Sequence, residues 1–143
     1  MNEQQTIQAI FEAGHTVAVV GLSPKPWRES FGVSRAMQAA GWRIIPVNPK
    51  AAERGENILG EKPYATLTDA ALHEKIDLVN VFRNSDDVPP VADEAIAIGA
   101  PALWLQMGIR HDQAAARARA AGLKVVQDRC LKVEWAMRDR SSD

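Results

Sequence analysis

The sequence contains a single cysteine, Cys130, which excludes an internal disulfide framework and a cysteine-rich zinc site. It also lacks an excess of either charge, with 17 Lys and Arg against 18 Asp and Glu. Binding to nucleic acid or to a membrane surface draws on clustered positive charge that this balance does not supply. No apolar run approaches the roughly 18 residues of a membrane span, and Met1 to Gln5 lack the basic start and apolar stretch of a secretory signal. A cytoplasmic protein that engages neither nucleic acid nor membrane is the expectation. Two nucleotide fingerprints are missing as well. Gly-x-Gly-x-x-Gly does not follow the first strand candidate, and Gly-x-x-x-x-Gly-Lys-Ser/Thr occurs nowhere, which removes ATP hydrolysis by a P-loop. There is no Gly-x-Ser-x-Gly elbow and no His-Glu-x-x-His element. His15, His73 and His111 have no metal-ligand spacing and read as surface or capping residues. No catalytic and no metal-ligating residue is predicted.

What is present is ordinary globular composition over 143 residues, enough for one domain spanning residues 1–143 with a core of its own. One joint recurs four times: small residues ending a helix-like segment, then glycine, then a β-rich run. It occurs at Ala13-Gly14, Ala40-Gly41, Ile98-Gly99 and Ala121-Gly122. Glycine past a helix end can take the left-handed conformation that closes the helix, so these joints predict alternating helices and strands. The strand candidates 16–20, 43–47 and 77–81 are short and almost wholly apolar, as in parallel strands covered on both faces; shorter runs at 102–105 and 123–126 follow. Val33, Ala36, Met37 and Ala40 repeat at helical spacing, as do Val88, Val91, Ala92 and Ala95. Residues 62–65 offer a further outer strand and residues 68–74 a short helix. The pattern predicts an α/β protein, a three-layer, Rossmann-like, doubly wound parallel sheet of five or six strands with helices on both faces. The order 3-2-1-4-5-6 fits, with 77–81 fourth, and a flavodoxin-like order fits too.

In such sheets ligands bind beyond the carboxyl ends of the strands. The first such loop, Gly21-Leu22-Ser23-Pro24-Lys25-Pro26-Trp27-Arg28-Glu29-Ser30, combines a close-approach glycine, two hydroxyls, two cations and the start of a helix near Ser30. That combination suits a phosphate, although Ser30 as a plain helix cap in a proline-stiffened turn explains the same residues equally well. The second strand ends in Val47-Asn48-Pro49-Lys50, where an NAD site would place an acidic residue. The fourth runs into Phe82-Arg83 and the fifth into Gln106-Met107-Gly108. Asp128-Arg129-Cys130 follows the last strand, where the thiol either faces a ligand or packs under the terminal helix. Trp42 and Trp104 read as core, and Trp27 as a loop residue able to shield a ligand.

Taken in order, the blocks 17–23 with Arg28 and Ser30, 45–49, 77–83, 104–108 and 126–130 resemble the stand-alone coenzyme A-binding proteins. The fold of that family is shared with the CoA-binding domain of the succinyl-CoA synthetase α subunit. The resemblance implies that Gly21 to Arg28 and the next helix hold the CoA pyrophosphate, with Asn48 and Lys50 near the adenosine. It also puts Phe82 and Arg83 beside the adenine or pantetheine, and Gln106, Met107 and Gly108 along the pantetheine arm. Lys25, Arg28, Lys50 and Arg83 at one sheet edge would answer the phosphates of CoA. The synthetases use a further domain with a phosphorylated histidine that this chain does not contain. The expectation is therefore a non-catalytic module for CoA or an acyl-CoA, serving as sensor, carrier or partner of another protein. The competing readings are an NAD(P)-dependent oxidoreductase and a degenerate nucleotide fold that acts only in protein interaction.

Overall fold

The computed structural model describes residues 1–138, and the polar tail expected after Arg138 lies outside the described residues. Five parallel strands form one sheet: β1 (Thr16–Val20), β2 (Arg43–Val47), β3 (Leu78–Val81), β4 (Ala102–Leu105) and β5 (Lys124–Val126). The order is β2-β1-β3-β4-β5. This is the expected 3-2-1-4-5-6 arrangement with its third strand missing. The outer strand foreseen at 62–65 has shrunk to one parallel bridge, Tyr64 beside Val47, held by Tyr64 N–H to Pro46 and Asn48 N–H to Tyr64.

Among the described residues seven α-helices cover the sheet: α1 (Glu3–Ala13), α2 (Glu29–Ala39), α3 (Pro49–Arg54), α4 (Leu67–Ala71), α5 (Val88–Ala97), α6 (Asp112–Ala120) and α7 (Leu131–Ala136). Side chains alternate across the strands, so the two faces build two separate cores. Ala18, Val79 and Leu103 pack with Leu67 and Ala70 of α4, Val88 and Ala92 of α5, and Ala114 and Ala118 of α6. Val17, Val19, Leu78 and Trp104 pack with Ile7, Ile10 and Phe11 of α1, Val33 and Met37 of α2, Ala51 of α3 and Leu131 of α7. Phe11 stacks on Trp104 with ring centroids 5.8 Å apart and meets Trp42 edge-on. Both tryptophans expected in the core are there.

Three of the four joint glycines, Gly41, Gly99 and Gly122, have the positive φ that closes a helix. Gly14 differs. Its backbone is extended at φ 166, and the Asp77 carboxylate occupies the space of a Cβ, so a larger residue there would have to push that side chain aside. The same carboxylate accepts from Thr16 N–H at 3.1 Å, tying the start of β1 to the residue before β3. His15 Nε2 meets the Phe11 carbonyl at 2.7 Å at the end of α1, and His111 Nδ1 accepts from Ala114 N–H at the start of α6, so both act as caps.

Where the third strand is missing, a charged cluster guards the edge of β2. Arg43 bonds Glu74 at 2.9 Å and Glu61 at 3.3 Å, and the Tyr64 hydroxyl donates to Glu74 at 3.2 Å. The Arg43 guanidinium holds the Glu74 carboxyl below the usual carboxylate range, against the opposing effect of burial. A lowered carboxyl pKa contributes stability that is present above the unfolded value and lost as pH falls through the folded one. Arg43→Ala is therefore expected to cost about 0.5–1 kcal/mol at neutral pH. The gap from the parent should close as pH drops below the ordinary carboxyl range, in urea unfolding followed across pH. A gap that persists in acid would show that Arg43 acts through packing alone.

Candidate functional site

The carboxyl ends of β1, β3 and β4 open into a cleft of about 760 Å³. Gly21, the first residue after β1, sits at φ +89, and a Cβ there would run into the backbone carbonyl of Phe82. The chain can therefore pass beside the end of β3 only as glycine. Its N–H bonds Val47 at 3.0 Å, which joins the ends of β1 and β2. The loop then closes on itself: Ser23 N–H donates to Ser30 Oγ at 3.0 Å and Lys25 N–H to Ser23 Oγ at 3.1 Å.

Ser30 is thus a residue of the first turn of α2 and does not cap it; the cap position belongs to Arg28, whose side chain makes no capping bond. The amino end of an 11-residue helix opens into the cleft without a side-chain acceptor, so its N–H groups and dipole face whatever enters. Lys25, Arg28 and Arg83 line the same space, and none of them pairs with a carboxylate among the described residues. Elsewhere Arg43, Arg54, Arg110, Arg117 and Arg129 do, whereas Arg35, Lys62, Lys75, Arg119, Lys124 and Lys132 also have no carboxylate partner among the described residues, so the cleft cations stand out by their grouping at one sheet edge. A smaller lobe of about 260 Å³ shares Gly21, Ser23, Phe82 and Arg83 and extends to Asn48, Pro49 and Lys50. Lys50 is likewise without a carboxylate partner among the described residues.

Gly21, Ser23, Lys25, Arg28, Ser30, Phe82, Arg83, Met107 and Gly108 come together in the main cleft, and Asn48, Pro49 and Lys50 in the lobe. Three residues expected at the ligand do not. Leu22 and Val47 are buried in the two cores, and Leu22 contributes only its carbonyl, which accepts from Asn48 Nδ2 at 2.9 Å. Gln106 is buried beneath the cleft floor, where Oε1 accepts from Leu131 N–H at 3.3 Å and Nε2 has no partner among the described residues. Asn48 also has a structural duty, because its Oδ1 caps α3 by accepting from Ala51 N–H.

Cys130 is buried in the core at the start of α7 and does not line the cleft. Trp27 is 76% exposed and lines neither pocket, with Lys25 Nζ 5.9 Å from its ring. Glu29, Asn84, Ser85 and Ile109 line the cleft unforeseen. Asn84, Ser85 and Ile109 continue loops already singled out, and reading those loops two residues further finds them. Glu29 lies inside the first loop already singled out, although a carboxylate is the residue type least expected in a cationic cleft.

Residues 15–136 match the model of one protein family, the CoA binding domain. The chain belongs to that family. Among relatives of this CoA-binding-domain protein, the uncharacterised protein YneT of Bacillus subtilis is 41% identical over 131 residues, covering 92% of this chain and 93% of that one. A solved structure from Thermus thermophilus is 36% identical and superposes with a TM-score of 0.86 over 96% of this chain and 98% of that one. The acetyl-coenzyme A synthetase 1 of Ca. Korarchaeum cryptofilum shares the fold, with a TM-score of 0.67 at 21% identity over 84% of this chain and 27% of that one. The family and the Rossmann-like sheet expected from the sequence are both borne out.

Proposed function

We propose that this CoA-binding-domain protein binds coenzyme A or an acyl-CoA across the cleft and its lobe, without turnover of its own. The observation that carries this reading is the set of four cations, Lys25, Arg28, Lys50 and Arg83, left without carboxylate partners among the described residues and grouped at one sheet edge. Unpaired cations repel one another, and that cost is offset when a polyanion is bound. CoA brings a pyrophosphate and a ribose phosphate in one molecule. The pyrophosphate suits the open end of α2 between Arg28 and Arg83, and the lobe beside Lys50 suits the phosphorylated ribose. At about 760 Å³ the main cleft lies within the usual range for ligand pockets.

Absence of turnover is part of the proposal and is tested separately from binding, because the cleft lining includes the Glu29 carboxylate and the Ser23, Ser30 and Ser85 hydroxyls. A role as sensor, carrier or partner module follows from binding without chemistry. Thermal unfolding with CoA, acetyl-CoA, NAD, NADPH and ATP side by side tests the reading. A ligand at roughly 100 times its dissociation constant adds about 2.7 kcal/mol. CoA species should raise the transition, and the others should leave it in place. Acetyl-CoA incubated with the protein should release no CoA thiol. Stabilisation by NADPH alone, or thiol release, would reject the proposal.

A further inference from the structure

The floor of the cleft is made by the turn after β4, where Met107, Gly108 and Ile109 line the space. That turn has little packing of its own: Met107 is 57% exposed and Gly108 sits at φ +87 with open space where a Cβ would go. What holds it is the neighbouring turn after β5. Asp128 Oδ1 accepts from Gly108 N–H at 2.7 Å, and Asp128 N–H donates to the Ile109 carbonyl at 3.2 Å. Both bonds come from one residue, and it stands at φ +56, one of only two non-glycine residues with positive φ among the described residues. Such a backbone is uphill for any L-residue and persists where the surroundings fix it; Asp and Asn tolerate it best.

Two flanking contacts fix the same turn further along. Gln127 Oε1 accepts from His111 N–H at 2.8 Å, and Ser85 Oγ accepts from Arg110 N–H at 3.0 Å. Without Asp128, residues 107–109 keep only the bond from Ile109 N–H to the Gln106 carbonyl among the described residues.

We infer that Asp128 is a positioning residue. Its left-handed backbone and carboxylate together clamp the Gly108 N–H and the Ile109 carbonyl, and so set the height of the cleft floor under the pantetheine arm. The inference rests on the CoA reading for the identity of the arm, and on the hydrogen bonds alone for the clamp. Asp128 touches no reacting group; it acts through Met107 and Gly108.

Two variants separate the backbone from the carboxylate. Asp128→Gly keeps the left-handed backbone and removes the acceptor, whereas Asp128→Asn keeps both. Calorimetric titration with CoA and with adenosine 3′,5′-bisphosphate, which lacks the pantetheine arm, reads the consequence. Asp128→Gly should bind CoA about tenfold more weakly, as for one lost charge-assisted bond. It should bind the bisphosphate as the parent does, and Asp128→Asn should recover most of the CoA affinity. In ligand-free protein, amide exchange at Gly108 should rise about tenfold or more in Asp128→Gly and little in Asp128→Asn. Equal losses for both ligands, or parental CoA affinity in Asp128→Gly, would overturn the inference. If the parent binds neither ligand the CoA reading falls, and an unchanged Gly108 amide in Asp128→Gly would overturn the clamp as well.

Discussion

Replacing Arg28 and Arg83 together by glutamine is expected to weaken CoA binding about a hundredfold or more, while leaving the fold intact. Each charge-assisted hydrogen bond to a phosphate contributes roughly 1.5–3 kcal/mol, so two lost together account for that factor or more. Neither arginine pairs with a carboxylate among the described residues, so neither substitution strands a buried charge. Both are exposed, and the cost to stability should stay within about 0.5 kcal/mol. Removing mutual repulsion can even raise the melting temperature of the ligand-free protein. Titration calorimetry at low and at physiological salt checks the result. Affinity in the double variant should depend less on salt than in the parent, because fewer ionic contacts remain to be screened. Parental affinity at both salts would mean that the phosphates lie elsewhere.

Gly21→Ala is expected to cost about 2 kcal/mol or more in stability and to abolish CoA binding. Two penalties combine at this position. A side chain at φ +89 is strained in itself by roughly 1–2 kcal/mol. The new methyl group also meets the Phe82 carbonyl, which belongs to the backbone at the end of β3 and cannot swing aside. Relief requires β1 and β3 to separate where the cleft begins, and this displaces Phe82 and Arg83. Gly60→Ala is the control, since Gly60 also has positive φ, +76, but with open space around its Cβ position. Denaturant unfolding should show the backbone strain alone, roughly 1–2 kcal/mol, for Gly60→Ala and a clearly larger loss for Gly21→Ala. Equal losses would assign the whole effect to backbone strain and remove the close approach from the account.

Most of the fold was legible because the strands are short apolar runs behind repeated glycine joints. β1, β2 and β4 have the very bounds the sequence predicts. The outer strand was not legible. Lys62 to Ala65 has the right position but no alternation, and whether such a segment pairs once or four times depends on the tertiary cluster of Arg43, Glu61, Tyr64 and Glu74. Gly14 misled in a different way, because a glycine that avoids a distant carboxylate looks identical in sequence to one that closes a helix.

At the site, the strand-end rule located the loops correctly and the individual side chains less well. Gln106 follows β4 closely enough to keep its period of two and points into the core, whereas Leu22, after the positive-φ turn at Gly21, leaves the face of Ala18 and Val20 and packs in the opposite core with Val17 and Val19. Gln106 continues the face of buried Trp104, a signal present in the sequence and outweighed there by the attraction of a polar residue at a strand end. Asn48 shows the converse case. It lines the lobe, yet both ends of its amide are already engaged, one capping α3 and the other holding the Leu22 carbonyl. Cys130 took the plainer of its two alternatives and packs beneath the last helix.

The central claim is that CoA occupies this cleft, and amide chemical-shift mapping during a CoA titration tests it most directly. The account predicts saturable shifts at Gly21, Ser23, Arg83 and Gly108, with Gly60 and Gly99, which line neither the cleft nor its lobe, left in place. Saturable shifts centred elsewhere, or none at CoA concentrations that saturate other CoA-binding proteins, would contradict it.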